Sequence, residues 1–268
     1  VGGDLAILAC GGRLPVRLAE AYPDALIVGL AGVPNDLGGR AEEHGLEELG
    51  SLFARLAQAK VSRLVFAGHL TRPPLDPGRF DATMTALAPR LMAAMGQGDD
   101  ALLSEVIAVF EEQGVAVVGA HELLPDLTAA PGLLAGSAPG KAETRDAARA
   151  ADILMALSPL DIGQGAVVAG GQCFGIETIQ GTDALLDFVA RTPDTLRRGY
   201  EGVYVKAAKR GQDLRIDMPA IGPRTVAAVA DAGLAGMVIE AHRVMILDRA
   251  ETLQAVCDRG LFLAAQEL

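Results

Sequence analysis

Leu5-Ala6-Ile7-Leu8-Ala9-Cys10-Gly11-Gly12-Arg13-Leu14-Pro15 decides the fold class. Five apolar residues in a row read as a strand buried on both faces, as in a parallel sheet. Gly11-Gly12 ends the run, and Pro15 suits the first turn of a helix. The same motif returns twice more. Ala25 to Leu30 is a second strand, and Leu64-Val65-Phe66, ending in Gly68, is a third. Leu46, Leu49, Leu52, Phe53 and Leu56 fall on one helical face. Ala101 to Gln113 predicts a helix stopped by Gly114, and Val115 to Val118 a fourth strand. Strands alternating with amphipathic helices give an α/β, Rossmann-like parallel sheet over residues 1–124.

Residues 125–140 change character. Pro125, Pro131 and Pro139 and the Gly- and Ser-rich end of this segment read as a linker. Residues 141–268 predict a mixed α+β domain. Glu143 to Leu157 is an Ala-rich helix. Ala166–Ala169 and Cys173–Glu177 are strands joined by Gly170-Gly171, a hairpin signal. Thr182–Val189 and Arg224–Ala232 are helical, and Gly202–Lys206 is extended. Met237–Glu240 and Val244–Leu247 suggest a second hairpin.

Composition narrows the function. A net charge of −11 argues against a nucleic-acid partner, which needs clustered Lys and Arg. Three cysteines without CxxC spacing suit reduced thiols in a cytoplasmic protein. No signal peptide is read, and no apolar run is a membrane span. Peripheral contact with a membrane surface stays open.

Five segments carry candidate chemistry. The Gly11-Gly12-Arg13-Leu14 turn could aim backbone N–H groups at a phosphate, or be an ordinary βα turn. His69 and Arg72 follow the third strand and could face the same cleft. Asp99-Asp100 could hold a divalent cation, or only complement the helix dipole. Asp161-Ile162-Gly163-Gln164 and Glu177 with Gly181-Thr182-Asp183 flank the hairpin. The second segment reads as a phosphate-plus-metal pocket, or as a helix N-capped by Thr182. Finally, Lys206 to Pro223 holds Lys206, Lys209, Gln212, Asp213, Arg215 and Asp217. If Leu214–Asp217 is extended, Asp213, Arg215 and Asp217 share one face. Two carboxylates there have no packing rationale, and Arg215 or a cation would relieve their repulsion; the alternative is a solvated edge strand.

These motifs, in this order and spread over the whole chain, resemble the LpxI-type UDP-2,3-diacylglucosamine pyrophosphatases. They are Ala9 to Pro15, Gly98 to Leu103, Asp161 to Gln164, Ile176-Glu177 with Gly181 to Asp183, and Gln212 to Arg215 with Asp217 to Gly222. The resemblance implies hydrolysis of UDP-2,3-diacylglucosamine to UMP and 2,3-diacylglucosamine 1-phosphate (lipid X) in Gram-negative lipid A assembly. It implies a divalent cation, typically Mg²⁺, and water directed at the β-phosphorus. It implies a Rossmann-like domain and a distinctive C-terminal domain with the ligand in the cleft between them. Cys10 stands where the family often has a smaller residue.

Under this resemblance Asp217, ahead of Asp213, is the expected catalytic residue. Asp217, Asp213, Asp99 and Asp100 are the expected metal ligands. Gly11, Gly12, Arg13, Leu14, Gln164, Glu177, Gly181, Thr182, Asp183, Lys206, Gln212 and Arg215 are expected to bind substrate. Leu123 to Leu134 and Ile153 to Leu160 could house the acyl chains. The inner-membrane surface is an expected peripheral partner, and a homodimer is allowed. The competing reading is a non-catalytic sensor of a nucleotide or nucleotide sugar. A nucleotide-sugar oxidoreductase is disfavoured, because no GxGxxG follows the first strand.

Overall fold

The computed structural model describes residues 3–70 and 75–268. It divides into two compact units. The first comprises Val1–Pro125 together with Asp213–Asp217; the second comprises Asp126–Gln212 and Met218–Leu268.

In the first unit the elements run β1 (Leu5–Ala9), α1 (Leu14–Ala21), β2 (Leu26–Leu30), β3 (Glu42–His44), α2 (Leu49–Gln58) and β4 (Arg63–Ala67). They continue with α3 (Ala82–Met95), α4 (Asp99–Glu112), β5 (Ala116–Val117) and α5 (Ala120–Leu123). The sheet is parallel throughout, in the order β3-β2-β1-β4-β5. All five residues of β1 are buried, as expected for a central strand covered on both faces. Leu8, Val28 and Leu64 from the sheet pack with Leu52 and Leu56 of α2 and Ile107 and Phe110 of α4. The Phe110 ring meets Phe53 edge-on at 5.3 Å and Phe66 at 5.5 Å, a favoured geometry for aromatic quadrupoles.

The second unit holds β6 (Gly132–Ala135), α6 (Lys141–Leu157), β7 (Gly165–Ala169), β8 (Gln172–Ile176), α7 (Gly181–Ala190), α8 (Asp194–Arg197) and β9 (Val203–Lys206). It ends with β10 (Ala220–Ile221), α9 (Pro223–Asp231), β11 (Gly236–Glu240), β12 (Met245–Ile246), α10 (Arg249–Asp258) and β13 (Phe262–Gln266). The main sheet is ordered β6-β13-β11-β9-β7-β8. Its centre, β13-β11-β9, is parallel, while β6, β7 and β8 pair antiparallel. Strand alternation splits the core into two layers. Ala166, Val168, Val203, Val205 and Val238 face Ala147, Ala150 and Leu154 of α6. Val167, Tyr204, Met237 and Ile239 face Leu185, Leu186 and Val189 of α7 and Val226 and Val229 of α9.

Residues 125–140, read as a linker, hold a short 3₁₀ turn and β6, which closes one edge of the second sheet. Two local expectations are corrected. Met237–Glu240 and Val244–Leu247 do not form a hairpin, because β11 pairs parallel with β9 and β13 while β12 pairs parallel with β10. Leu214–Asp217 is not a strand. Asp213 accepts the Arg215 N–H through Oδ1 at 3.0 Å, and its carbonyl accepts the N–H of Ile216 at 3.4 Å and of Asp217 at 3.3 Å. An Asp that bonds the backbone two residues on closes a turn, and that local bond outcompetes extension here.

Candidate functional site

The strands set two carboxyl edges, one in each unit. Ligands of open α/β sheets bind outside the carboxyl ends of parallel strands, where the strand order reverses.

In the first unit the reversal lies between β1 and β4. Gly11 and His69 face each other there as an isolated antiparallel bridge. Gly11 N–H donates to the His69 carbonyl at 3.1 Å, and His69 N–H donates back to Gly11 at 3.0 Å. The Gly11 N–H is therefore spent inside the protein, contrary to the expectation that it would meet a phosphate. The first turn of α1, which starts at Leu14 after Gly12 (φ +97°) and Arg13, carries no side-chain cap. The His69 ring lies over Gly11, where a Cβ would come within 2.4 Å of its Cε1. Arg72 lies outside the described residues.

Asp99 and Asp100 occupy the first turn of α4, where carboxylates complement the helix dipole. They do not gather with Asp213. The Arg215 side chain bonds Asp213 and, 2.7 Å from its Nη1, Glu111 near the far end of α4. At 1.5 Å per residue, Asp99 and Glu111 stand roughly 18 Å apart along the helix. Asp99 and Asp100 thus stand at the other end of α4 from Glu111, while the Asp213 carboxylate is gripped by Arg215. The Arg215 guanidinium holds the Asp213 carboxyl below the usual carboxylate range.

In the second unit Lys206 ends β9 and Glu177 follows β8. The registers Gly165↔Lys206 and Ala166↔Ile176 put both at the same edge. Lys206 is 5% exposed and Glu177 9%. Lys206 Nζ donates to Thr182 Oγ1 at 2.6 Å and lies 3.5 Å from Glu177 Oε2. That oxygen also accepts from Thr182 Oγ1 at 3.0 Å and from Tyr204 OH at 3.3 Å. Thr182 is not the N-cap of α7. Gln180 holds that position, and the Thr182 hydroxyl is turned to the Glu177–Lys206 pair. Gly181 opens the helix at φ +84°.

Sequence reasoning misses Tyr204. A Tyr inside a buried Val-Tyr-Val-Lys strand is the available signal, since a buried phenol needs a partner. It is fully buried, and that burial beside Glu177 raises its hydroxyl pKa well above the ordinary value. Gly165 makes the room, because a Cβ there would stand 2.6 Å from both Glu177 Oε2 and Tyr204 OH.

The other expected residues of the second unit have partners of their own. The Gln164 carbonyl accepts Ala207 N–H at 2.9 Å. Gln212 is buried, and its Oε1 accepts Lys209 N–H at 3.1 Å. Lys209 pairs with Asp161. Asp183 pairs with Arg224 at 2.5 Å, both well exposed. Glu240, 2% exposed at the end of β11, accepts Ala208 N–H at 2.9 Å and so fixes the loop that carries Lys209 and Gln212. Leu127 and Leu154, expected in an acyl chamber, are buried; Leu154 packs against the sheet, while Leu160 is 65% exposed.

Residues 4–127 match the LpxI N-terminal domain, and residues 130–264 match the LpxI C-terminal domain. The chain belongs to the LpxI family. This LpxI-family chain is 38% identical over 269 residues to the UDP-2,3-diacylglucosamine pyrophosphatase LpxI of Caulobacter vibrioides. That similarity spans 97% of this chain and 96% of the relative. In LpxI terms, the first carboxyl edge lies in the N-terminal domain and the Glu177–Thr182–Lys206 cluster in the C-terminal one.

Proposed function

We propose that this chain hydrolyses the pyrophosphate of UDP-2,3-diacylglucosamine. The observation that carries the reading beyond family membership is Lys206. An ammonium has three N–H donors. Lys206 has one hydroxyl acceptor at 2.6 Å and one carboxylate at 3.5 Å, so donor capacity remains at a buried position for phosphate oxygens. A sensor would need such a cation too, but it would release no UMP.

In the reaction water attacks phosphorus, a P–O bond of the anhydride breaks, and UMP and 2,3-diacylglucosamine 1-phosphate leave. We place the attack at the β-phosphorus. We assign Lys206 and Thr182 to the phosphates and, as the resemblance implies, Asp217 to catalysis. Among the described residues no group of three or more His, Cys, Asp or Glu could hold a metal ion. A divalent cation would draw on one or two carboxylates plus substrate phosphates, as Mg²⁺ commonly does, and Asp217 is the carboxylate we assign to it. Its chemistry would be charge neutralisation on the phosphate oxygens. Among the described residues no helix is long and apolar enough to cross a membrane. Peripheral contact with the inner membrane follows from a substrate with two acyl chains, and exposed Leu160, Ile162 and Ile179 support it.

The test is UMP release from UDP-2,3-diacylglucosamine, with Mg²⁺ and with a chelator, in ¹⁸O-labelled water. Label should appear in the sugar phosphate, and Asp217→Ala should lose about a hundredfold or more of the rate. No UMP release from the wild type, or Asp217→Ala within about threefold of it, would overturn the reading.

A further inference from the structure

Arg215 was expected to bind substrate, but its contacts give it different work. Nε and Nη2 grip the Asp213 carboxylate at 3.0 and 2.7 Å. Nη1 reaches Glu111 Oε1 at 2.7 Å and the Val117 carbonyl at 3.5 Å. A guanidinium offers five N–H donors in a fixed fork, and this arrangement occupies both of its edges with protein oxygens. Ile216 packs beside it on the core of the first unit. The turn is closed by Asp213, whose carbonyl holds the Asp217 N–H. The route from Glu111 to Asp217 is therefore continuous: Glu111 fixes Arg215, Arg215 fixes Asp213, and Asp213 fixes the backbone of Asp217.

We propose that Glu111 and Arg215 form a latch that positions Asp217 and that Arg215 does not bind substrate. The latch rests on the reading of Asp217 as the catalytic carboxylate. Neither residue is a catalytic residue; both act through the turn. The Arg215 and Glu111 side chains are 37% and 44% exposed, so the pair adds little to global stability. That separates positioning from folding, because loss of the latch should leave the fold intact and slow the reaction.

The experiment measures kcat, KM and melting temperature of the full chain with UDP-2,3-diacylglucosamine. Glu111→Ala should lower kcat about tenfold, since small misplacements of reacting groups cost one to two orders of magnitude. KM should stay within about twofold, and the melting temperature should be unchanged. Glu111→Gln keeps an oxygen acceptor for Nη1 and should recover part of kcat. Arg215→Lys cannot span both partners and should behave like Glu111→Ala. A raised KM with unchanged kcat in Arg215→Lys would make Arg215 a substrate ligand and overturn the latch. Asp217→Ala in parallel distinguishes the two ideas. If it is inactive while Glu111→Ala runs at wild-type kcat, only the latch falls. If it keeps wild-type activity, the assignment of Asp217 falls first.

Discussion

Replacing Lys206 by Met removes a charge while keeping an unbranched side chain of similar reach. The Lys206 and Glu177 side chains are 6% and 12% exposed, so the Glu177 carboxylate would be left buried without its cation. Breaking one partner of a buried pair costs about 3–5 kcal/mol. The low end applies here, because Thr182 and Tyr204 still donate to Glu177 Oε2. Adding Glu177→Gln removes the orphaned charge. Removing both charges of a buried pair is often near neutral, so the double variant should return to within about 1–2 kcal/mol of wild type. Binding should not return with it. A charge-assisted hydrogen bond to phosphate is worth about 1.5–3 kcal/mol, which is roughly a tenfold to hundredfold loss of affinity. Denaturant unfolding reads the first effect, and calorimetric titration with 2,3-diacylglucosamine 1-phosphate reads the second. A double variant that binds product as tightly as wild type would make Lys206 a core ion pair and nothing more. A single variant as stable as wild type would refute the buried-pair energetics.

Two further outcomes concern the first unit. The Arg63 guanidinium, with the Ser62 hydroxyl, lowers the Asp4 pKa from 3.8 to about 2. A carboxyl depressed in the folded state stabilises above its unfolded pKa and loses that contribution as pH falls through the folded value. Stability should therefore decline between about pH 4 and pH 2, and Asp4→Asn should flatten that slope; equal slopes in both proteins would refute the assignment. Gly68 sits at φ +94°, and a Cβ there would lie 2.3 Å from the Gly11 carbonyl oxygen. Gly68→Ala should cost about 2–4 kcal/mol from the left-handed backbone and the clash together, and a loss under about 0.5 kcal/mol in denaturant unfolding would mean that the Gly11–His69 bridge yields freely.

The buried strands were readable because burial on both faces leaves an uninterrupted apolar run. That holds for β1, β2, β4, β7 and β9, whose core residues are nearly all shielded from solvent. β3 left no such trace, since Glu42, Glu43 and His44 form an edge strand whose residues are not buried. α3 hid behind Pro89 and a weak apolar stripe. The turn at Asp213–Asp217 was misread because a period of two in charge looks the same whether side chains alternate on a strand or a carboxylate folds back on its own backbone. At the candidate site, the residue types of Glu177, Thr182 and Lys206 were visible in the sequence. Their convergence depends on the β7–β9 and β7–β8 registers, which no local pattern encodes.

An acidic chain that handles a charged pyrophosphate has to solve its electrostatics at short range. The net charge of −11 repels an anion at a distance. At the second carboxyl edge the cations are present but already compensated: Lys206 by Glu177, Lys209 by Asp161, and Arg210 by Glu240. This arrangement avoids leaving several uncompensated cations in a partly buried site. It also makes binding an exchange of partners. The Lys206–Glu177 contact at 3.5 Å is long for an ion pair, so a phosphate oxygen could approach Lys206 without that pair being fully broken. Asp161 is 44% exposed and would return to water at little cost if Lys209 changed partner. Glu240 is different. At 3% side-chain exposure, with the Ala208 N–H and Arg243 also bound, it cannot be released cheaply. Arg210 is therefore the least suited of the three cations to exchange its carboxylate for phosphate, and Glu240 serves the edge by holding the loop that carries Lys209 and Gln212.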